Sequence, residues 1–258
     1  MYIETKSNGM TRWTLFLTGI AFVASLFVGS VSGAAAATDE EIAVSLATLL
    51  RASRAVISKN QKHINDPAVG DKGLSADAVV KTAKANYQAA SGKSLDDIDP
   101  GSLQGKLIKA ELQAIIEVME EAQENINQEG VGLKGFLPAV FARLVTQKFK
   151  ASSKGVATLK LTAPKKLVRN RANRPDKWEH KVIEKTFKSS DHPKNQHVTE
   201  VTKGKGKSAF RLILPEYYKQ SCLACHGEPK GERDITGGKK EGGKLGQLGG
   251  AISVVIFK

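Results

Sequence analysis

The chain has 258 residues, 41% of them hydrophobic and 25% charged, with a formal net charge of +13 and two cysteines. That apolar content is ordinary for a folded protein and supports a real core, in one large domain or two small ones. The positive charge favours acidic partners or an anionic membrane surface and does not by itself indicate nucleic acid; no nucleic-acid partner is expected. No Ser-His-Asp set, paired carboxylates or phosphate loop stands out, which removes ordinary hydrolase and nucleotide chemistry.

Residues 1–37 differ from the rest. Lys6 and Arg12 precede an apolar run that starts at Trp13, and Ser32-Gly33-Ala34-Ala35-Ala36-Ala37 closes it before Asp39-Glu40-Glu41. This is the charged, apolar, small-residue order of a secretory signal cleaved after Ala37. The competing reading is an uncleaved membrane anchor, since residues 13–37 are long enough to span a bilayer. Either reading exports residues 38–258, into the periplasm or onto the periplasmic side of the inner membrane. Without Glu4, Lys6 and Arg12 the body keeps a charge of about +12.

Residues 40–65 are predicted to form one long helix, with Leu46, Leu49, Leu50, Val56 and Ile57 on an apolar side that ends in His63. Asp66-Pro67 stops it. A loop follows, then Ser75 caps a helix through Val79, Val80 and Ala83 to Tyr87. Residues 102–126 give a second long helix, spaced by Leu107, Glu111, Ala114, Ile115, Val118 and Ala122. A shorter helix starts near Pro138, where a missing N–H costs little. Beyond Gly155 the period changes, and residues 156–161, 197–202, 209–214 and 250–257 read as strands, with one helix at 176–188. Helices followed by mostly antiparallel strands indicate an α+β domain.

Between the last two strands lies Ser221-Cys222-Leu223-Ala224-Cys225-His226-Gly227, which holds both cysteines of the chain. Cys-x-x-Cys-His is the attachment signature of a c-type haem. Cys222 and Cys225 can each add to one vinyl group of a porphyrin, and His226 can coordinate the iron from the proximal side. A structural zinc site would need four nitrogen or sulfur ligands, and no second Cys pair or spaced His pair supplies them. A redox dithiol would want a βαβ setting, and a plain disulfide leaves His226 without a role. The glycines of residues 227–250 let backbone pass close to a flat ligand, or they form a mobile surface loop.

For the opposite face of the iron the exported body offers His63, His180, His192, His197, Met119, lysines or an open position. His63 ends the apolar stripe of the first helix. His180 shares a helical face with Ile183 and Phe187, while Met119 suits core packing. Arg169, Arg171 and Arg174, beside Asn170, Asn173, Trp178 and Glu179, form the densest polar and aromatic group outside the cysteine motif. Arg169 and Arg171 could pair with haem propionates or a small anion, or the group is a solvated turn before a helix that Asp176 opens.

Several stretches together resemble the Tll0287-like haem-binding domains. They are Arg54-Ala55-Val56-Ile57 with Gln61 and Ile64-Asn65-Asp66-Pro67, Asp71-Lys72-Gly73, Gly135-Phe136-Leu137-Pro138-Ala139-Val140-Phe141, the run from Val168 to Glu179, the Cys222 to Gly227 motif, and Gly249-Gly250-Ala251-Ile252-Ser253-Val254. The resemblance implies a PAS-like antiparallel sheet flanked by helices, with haem held against it. It also implies a redox or gas-sensing role more than bulk electron carriage. A cysteine thiolate as second axial ligand, known in that family, cannot be carried over, because both cysteines are used for attachment. The expectation is an exported monohaem c-type cytochrome with one covalent haem c that senses redox state or a diatomic ligand, with an acidic redox partner or a membrane-bound signalling partner. An electron carrier and a haem peroxidase are the alternatives.

Overall fold

A computed structural model describes residues 36–204 and 207–258. Residues 1–35, which carry the expected leader, lie outside the described residues. Among the described residues no helix is long and apolar enough to cross a membrane.

Thr38 and Glu41 form a reciprocal capping box that satisfies the free N–H groups at the start of α1, Asp39–Lys59. The buried side of α1 carries Ile42, Leu46, Leu49, Leu50, Val56 and Ile57, and the helix touches three later helices and two strands. The expected single helix over 40–65 is interrupted. Asn60 takes φ −96°, ψ 8°, and its side-chain amide donates to the Val56 carbonyl at 2.8 Å. This local bond competes with the helical ladder. Gln61–Ile64 then form a separate short helix, α2, so His63 leaves the stripe that was to lead into it.

Ser75 caps α3, Ala76–Ser91, and Ser102 caps α4, Leu103–Asn127, by accepting from Gly105 N–H at 3.0 Å. Gly105 is required by close approach: a Cβ there would lie 2.1 Å from the Asp99 carbonyl oxygen. Pro138 sits in the first turn of α5, Pro138–Ser152. Together α1, α3, α4 and α5 bury a helical core that includes Tyr87, Met119, Phe141 and Phe149.

The sheet is β1, Ala157–Thr162, β2, Val198–Gly204, β3, Lys207–Tyr217, and β4, Leu248–Phe257. Its order is β1-β4-β3-β2 and every pairing is antiparallel. Alternation divides its faces. Leu212, Leu214, Ile252, Val254 and Ile256 join the helical core. Ile213 and Ala251 face the other way, onto Val182, Ile183 and Phe187. The expected helix at 176–188 is α6, Lys177–Lys181, followed by a π-helical turn, Val182–Thr186. The wider turn was not visible in the apolar spacing, which both helix types share at short range. The architecture is α+β, with a four-stranded antiparallel sheet between two helical layers.

β3 outruns its neighbour: pairing with β2 ends at Ile213, while pairing with β4 continues through Pro215 and, after an irregularity at Glu216/Tyr217, to Tyr217. The missing N–H of Pro215 therefore falls where β2 is no longer alongside. This extension delivers Glu216, Tyr217 and Tyr218 to the start of α7, Gln220–His226.

Candidate functional site

Cys222, Cys225 and His226 all lie on α7. Positions three apart share one helix face, so both thiols can address one flat group. Both cysteines are free and partly exposed. Burial, with the Asp234 carboxylate nearby, pushes the Cys225 thiol up, so it is held as S–H.

His226 ends the helix. Its Nδ1 donates to Glu241 Oε2 at 2.9 Å, which fixes the tautomer and leaves the Nε2 lone pair for a metal. The Tyr218 ring stacks on the imidazole, with centroids 5.4 Å apart and planes at 19°. The Tyr218 hydroxyl is buried with no hydrogen-bond partner, and burial followed by the charge of Glu241 pushes it up to about 12.

The glycine-rich stretch folds back onto α7. Gly243 N–H donates to the His226 carbonyl at 2.7 Å, Gly242 N–H to that of Gly227 at 3.1 Å, and Gly246 N–H to that of Tyr218 at 2.9 Å. The flat group its backbone passes is Tyr218. A Cβ on Gly243 would lie 2.4 Å from Tyr218 Cε2, and one on Gly249 would lie 2.5 Å from Cε1. The ring is clasped along both edges by residues without side chains.

Arg169 secures this fold-back. It donates to Asp234 Oδ2 at 2.5 Å, Glu241 Oε1 at 2.8 Å, and the carbonyls of Cys225 at 2.9 Å and Lys239 at 3.1 Å. Burial opposes the Asp234 charge, but hydrogen bonds from Thr236 and Arg169 outweigh it and hold the carboxyl at about 2. Glu241 is likewise held below its ordinary range by Arg169 and His226 against the opposing effect of burial. Arg169 is thus engaged by the protein's own acceptors. Arg171 is exposed in a single 3-10 turn, Arg171–Asn173. Asp176 and Glu179 cap α6 reciprocally, and Glu179 also receives Lys160 at 2.5 Å, tying the segment to β1.

On the other side of α7, α1 supplies Arg51, Arg54 and Ser58. Both arginines bond to Glu216, and Ser58 and Ser221 hydroxyls are 2.8 Å apart. Burial lowers the Arg54 guanidinium to about 10. Its Nε is buried without a partner. A cavity of about 140 Å³ between Arg51 and Tyr217–Lys219 is smaller than the clefts of about 300–1,000 Å³ that enclose ligands.

Of the remaining four histidines, three are engaged elsewhere. His63 is exposed and donates from Nε2 to the Lys72 carbonyl at 3.0 Å. His192 Nε2 donates to the Gln196 carbonyl at 2.9 Å, and His197 Nε2 to Glu40 at 2.8 Å. His180 lies in α6, half-buried, with its Nδ1 buried and unpartnered. Met119 is sealed in the helical core. Among the described residues no three His, Cys, Asp or Glu side chains converge as a metal cage. Sequence reasoning missed Tyr218, Asp234, Glu241 and the Arg51–Arg54–Glu216 group.

These residues fit a porphyrin held by two thioethers and one imidazole. The thiols are unpaired and on one face, one imidazole nitrogen is fixed and the other left over, and two orphaned polar atoms, Tyr218 Oη and Arg54 Nε, flank the helix. No curated protein matches the chain, and no solved structure does. The model of one family, Tll0287-like, matches residues 34–256, across both helical layers, the sheet and the whole of α7; the chain belongs to the Tll0287-like family.

Proposed function

We propose that this protein is an exported monohaem c-type cytochrome of PAS-like architecture that reports redox state or a bound diatomic ligand. The observation that carries the reading is the division of labour on His226: Nδ1 is held by Glu241 while Nε2 stays available beside two free thiols. Cys222 and Cys225 provide the thioether sulfurs and His226 the proximal nitrogen. Such a group supplies an iron centre that changes oxidation state or axial ligand.

Tyr218 holds the plane of the imidazole, Glu241 its tautomer, and Arg169 the loop that carries Glu241. His63, His192 and His197 each use Nε2 in a hydrogen bond, which leaves the half-buried, unpartnered His180 or an exchangeable ligand for the distal face. The contact of α1 with α7 offers a route by which a change at the iron reaches the helical layer and a signalling partner. An electron-carrier reading draws on Lys219, Lys230, Lys239 and Lys244, exposed on the segments flanking α7, which suit an acidic redox partner. The leader-like order of residues 1–37 supports a place in the periplasm, free or anchored to the inner membrane.

The test is expression of the full chain with cytochrome c maturation machinery. Haem resisting acid-acetone extraction, and a mass increment of one haem lost in Cys222→Ala plus Cys225→Ala, support the proposal; a chain that matures without covalent haem refutes it. Carbon monoxide binding to the reduced protein supports sensing, and a low-spin spectrum indifferent to it supports the carrier.

A further inference from the structure

We infer that Glu241 is a positioning residue that makes His226 an electron-rich ligand and so holds the iron toward its oxidised state; this rests on the haem reading above. The Glu241 carboxylate is firmly placed. One oxygen accepts from His226 Nδ1 at 2.9 Å and the other from Arg169 Nε at 2.8 Å. Rotation of the carboxylate would break both bonds. Arg169 cannot follow such a rotation, because its other nitrogens are fixed by Asp234 at 2.5 Å and by the Cys225 and Lys239 carbonyls.

The chain Asp234, Arg169, Glu241, His226 therefore contains two carboxylates and one guanidinium, and its net charge is negative. The Asp234 side chain is fully buried and that of Glu241 is 16% exposed, so solvent screens this charge only weakly. A carboxylate accepting the Nδ1 proton raises the basicity of the ligating nitrogen. A more basic nitrogen, with negative charge behind it, stabilises Fe(III) relative to Fe(II). The couple is Fe(III) plus one electron giving Fe(II), with the electron exchanged in the assay by a soluble mediator dye.

The test is a spectroelectrochemical titration of the matured full chain. Glu241→Gln keeps the shape and an acceptor for Nδ1 but removes the charge and, with it, the acceptor for Arg169 Nε. It is expected to shift the equilibrium at least tenfold toward Fe(II), a rise of about 59 mV for one electron. Glu232→Gln removes the same charge from an exposed residue of the same loop, whose bond is to Lys240, and is expected to shift it less than threefold. A potential that is unmoved or lowered in Glu241→Gln, or moved as far by Glu232→Gln, overturns the inference while leaving covalent haem in place. If Glu241→Gln does not fold, Asp234→Asn decides. It leaves Glu241 intact but frees Arg169 to draw on it, so a smaller rise supports the inference and no rise overturns it. An unsubstituted chain without haem refutes the haem reading and this inference with it.

Discussion

Gly249→Ala tests the clasp on Tyr218. The φ of Gly249 lies outside the left-handed region, so alanine brings no backbone strain and the effect is one added carbon. That carbon would lie 2.5, 2.7 and 2.9 Å from Tyr218 Cε1, Cδ1 and Cζ, where relaxed carbon contacts are about 3.5–4.0 Å. The ring must retreat by about 1 Å. Its other edge already faces Gly243, where an added carbon would lie 2.4 Å from Cε2, and its face is stacked on His226. Overpacking of this kind costs about 1–3 kcal/mol. At about 2 kcal/mol, and about 2–4 °C per kcal/mol in a domain of this size, Tm should fall by about 4–8 °C. Thermal unfolding of Gly249→Ala, Tyr218→Ala and the double variant closes the cycle. In the Tyr218→Ala background the added methyl should be close to neutral. An unchanged Tm in Gly249→Ala, or the same loss with and without the ring, would refute the steric account.

Arg169→Met should leave the sheet intact and loosen residues 227–243, because three of its four hydrogen bonds end on that fold-back and the fourth ties it to the Cys225 carbonyl of α7. A local loss of about 4 kcal/mol raises amide exchange at Gly242 and Gly243 about a thousandfold, and a rise under tenfold would contradict it. Glu111 is buried in α4 with neither oxygen bonded, and burial keeps its carboxyl neutral well above the ordinary value of 4.5. The unfolded chain loses that proton above its ordinary value while the folded chain keeps it, so stability falls as pH rises from there toward the folded pKa. Glu111→Gln removes this slope, and its urea-unfolding free energy should gain on the wild type by up to about 1.4 kcal/mol per pH unit; parallel pH profiles would exclude it. Gly105→Ala drives a carbon against the Asp99 and Pro100 backbone, and should cost about 3 kcal/mol in chemical denaturation.

The helical layer was legible where side chains announce their own boundaries. Ser75 caps the helix it was expected to cap, the next helix begins at 103, beside its expected start, with Ser102 as its cap, and Pro138 opens the one after. Each is a bond or a steric rule acting within four residues. The four strands also fall where period and composition place them. What failed was local competition that periodicity does not register. Asn60 bonds back to Val56 and ends α1 before His63, although the apolar spacing runs through it. The turn after α6 widens at Val182–Thr186, where Ile183 and Phe187 pack on the second face of the sheet.

The site divides along the same line, and the division has a physical cause. Cys222, Cys225 and His226 stood out together because all three belong to a single helix, so their mutual spacing is a property of the sequence itself. What aims them comes from distant stretches: Arg169 reaches the Cys225 carbonyl from 56 positions away, Glu241 meets His226 from 15, and Glu216 gathers Arg51 and Arg54 from more than 160. The arginine group did stand out, but composition alone gave it a haem propionate or solvent as partner, whereas Arg169 finds Asp234 and Glu241 within the chain. Two quieter signals were present. Tyr218 immediately precedes the motif's helix, and Glu241 is an acid within a stretch dominated by glycine and lysine. A carboxylate in such a stretch has little local reason to be there, since no helix terminus or strand partner needs it. Its reason is long-range: it anchors the imidazole that the motif supplies, and Arg169 anchors it in turn. The proposed covalent chemistry is therefore encoded over five consecutive residues, while the electrostatic surroundings of the His226 imidazole depend on the whole fold being formed.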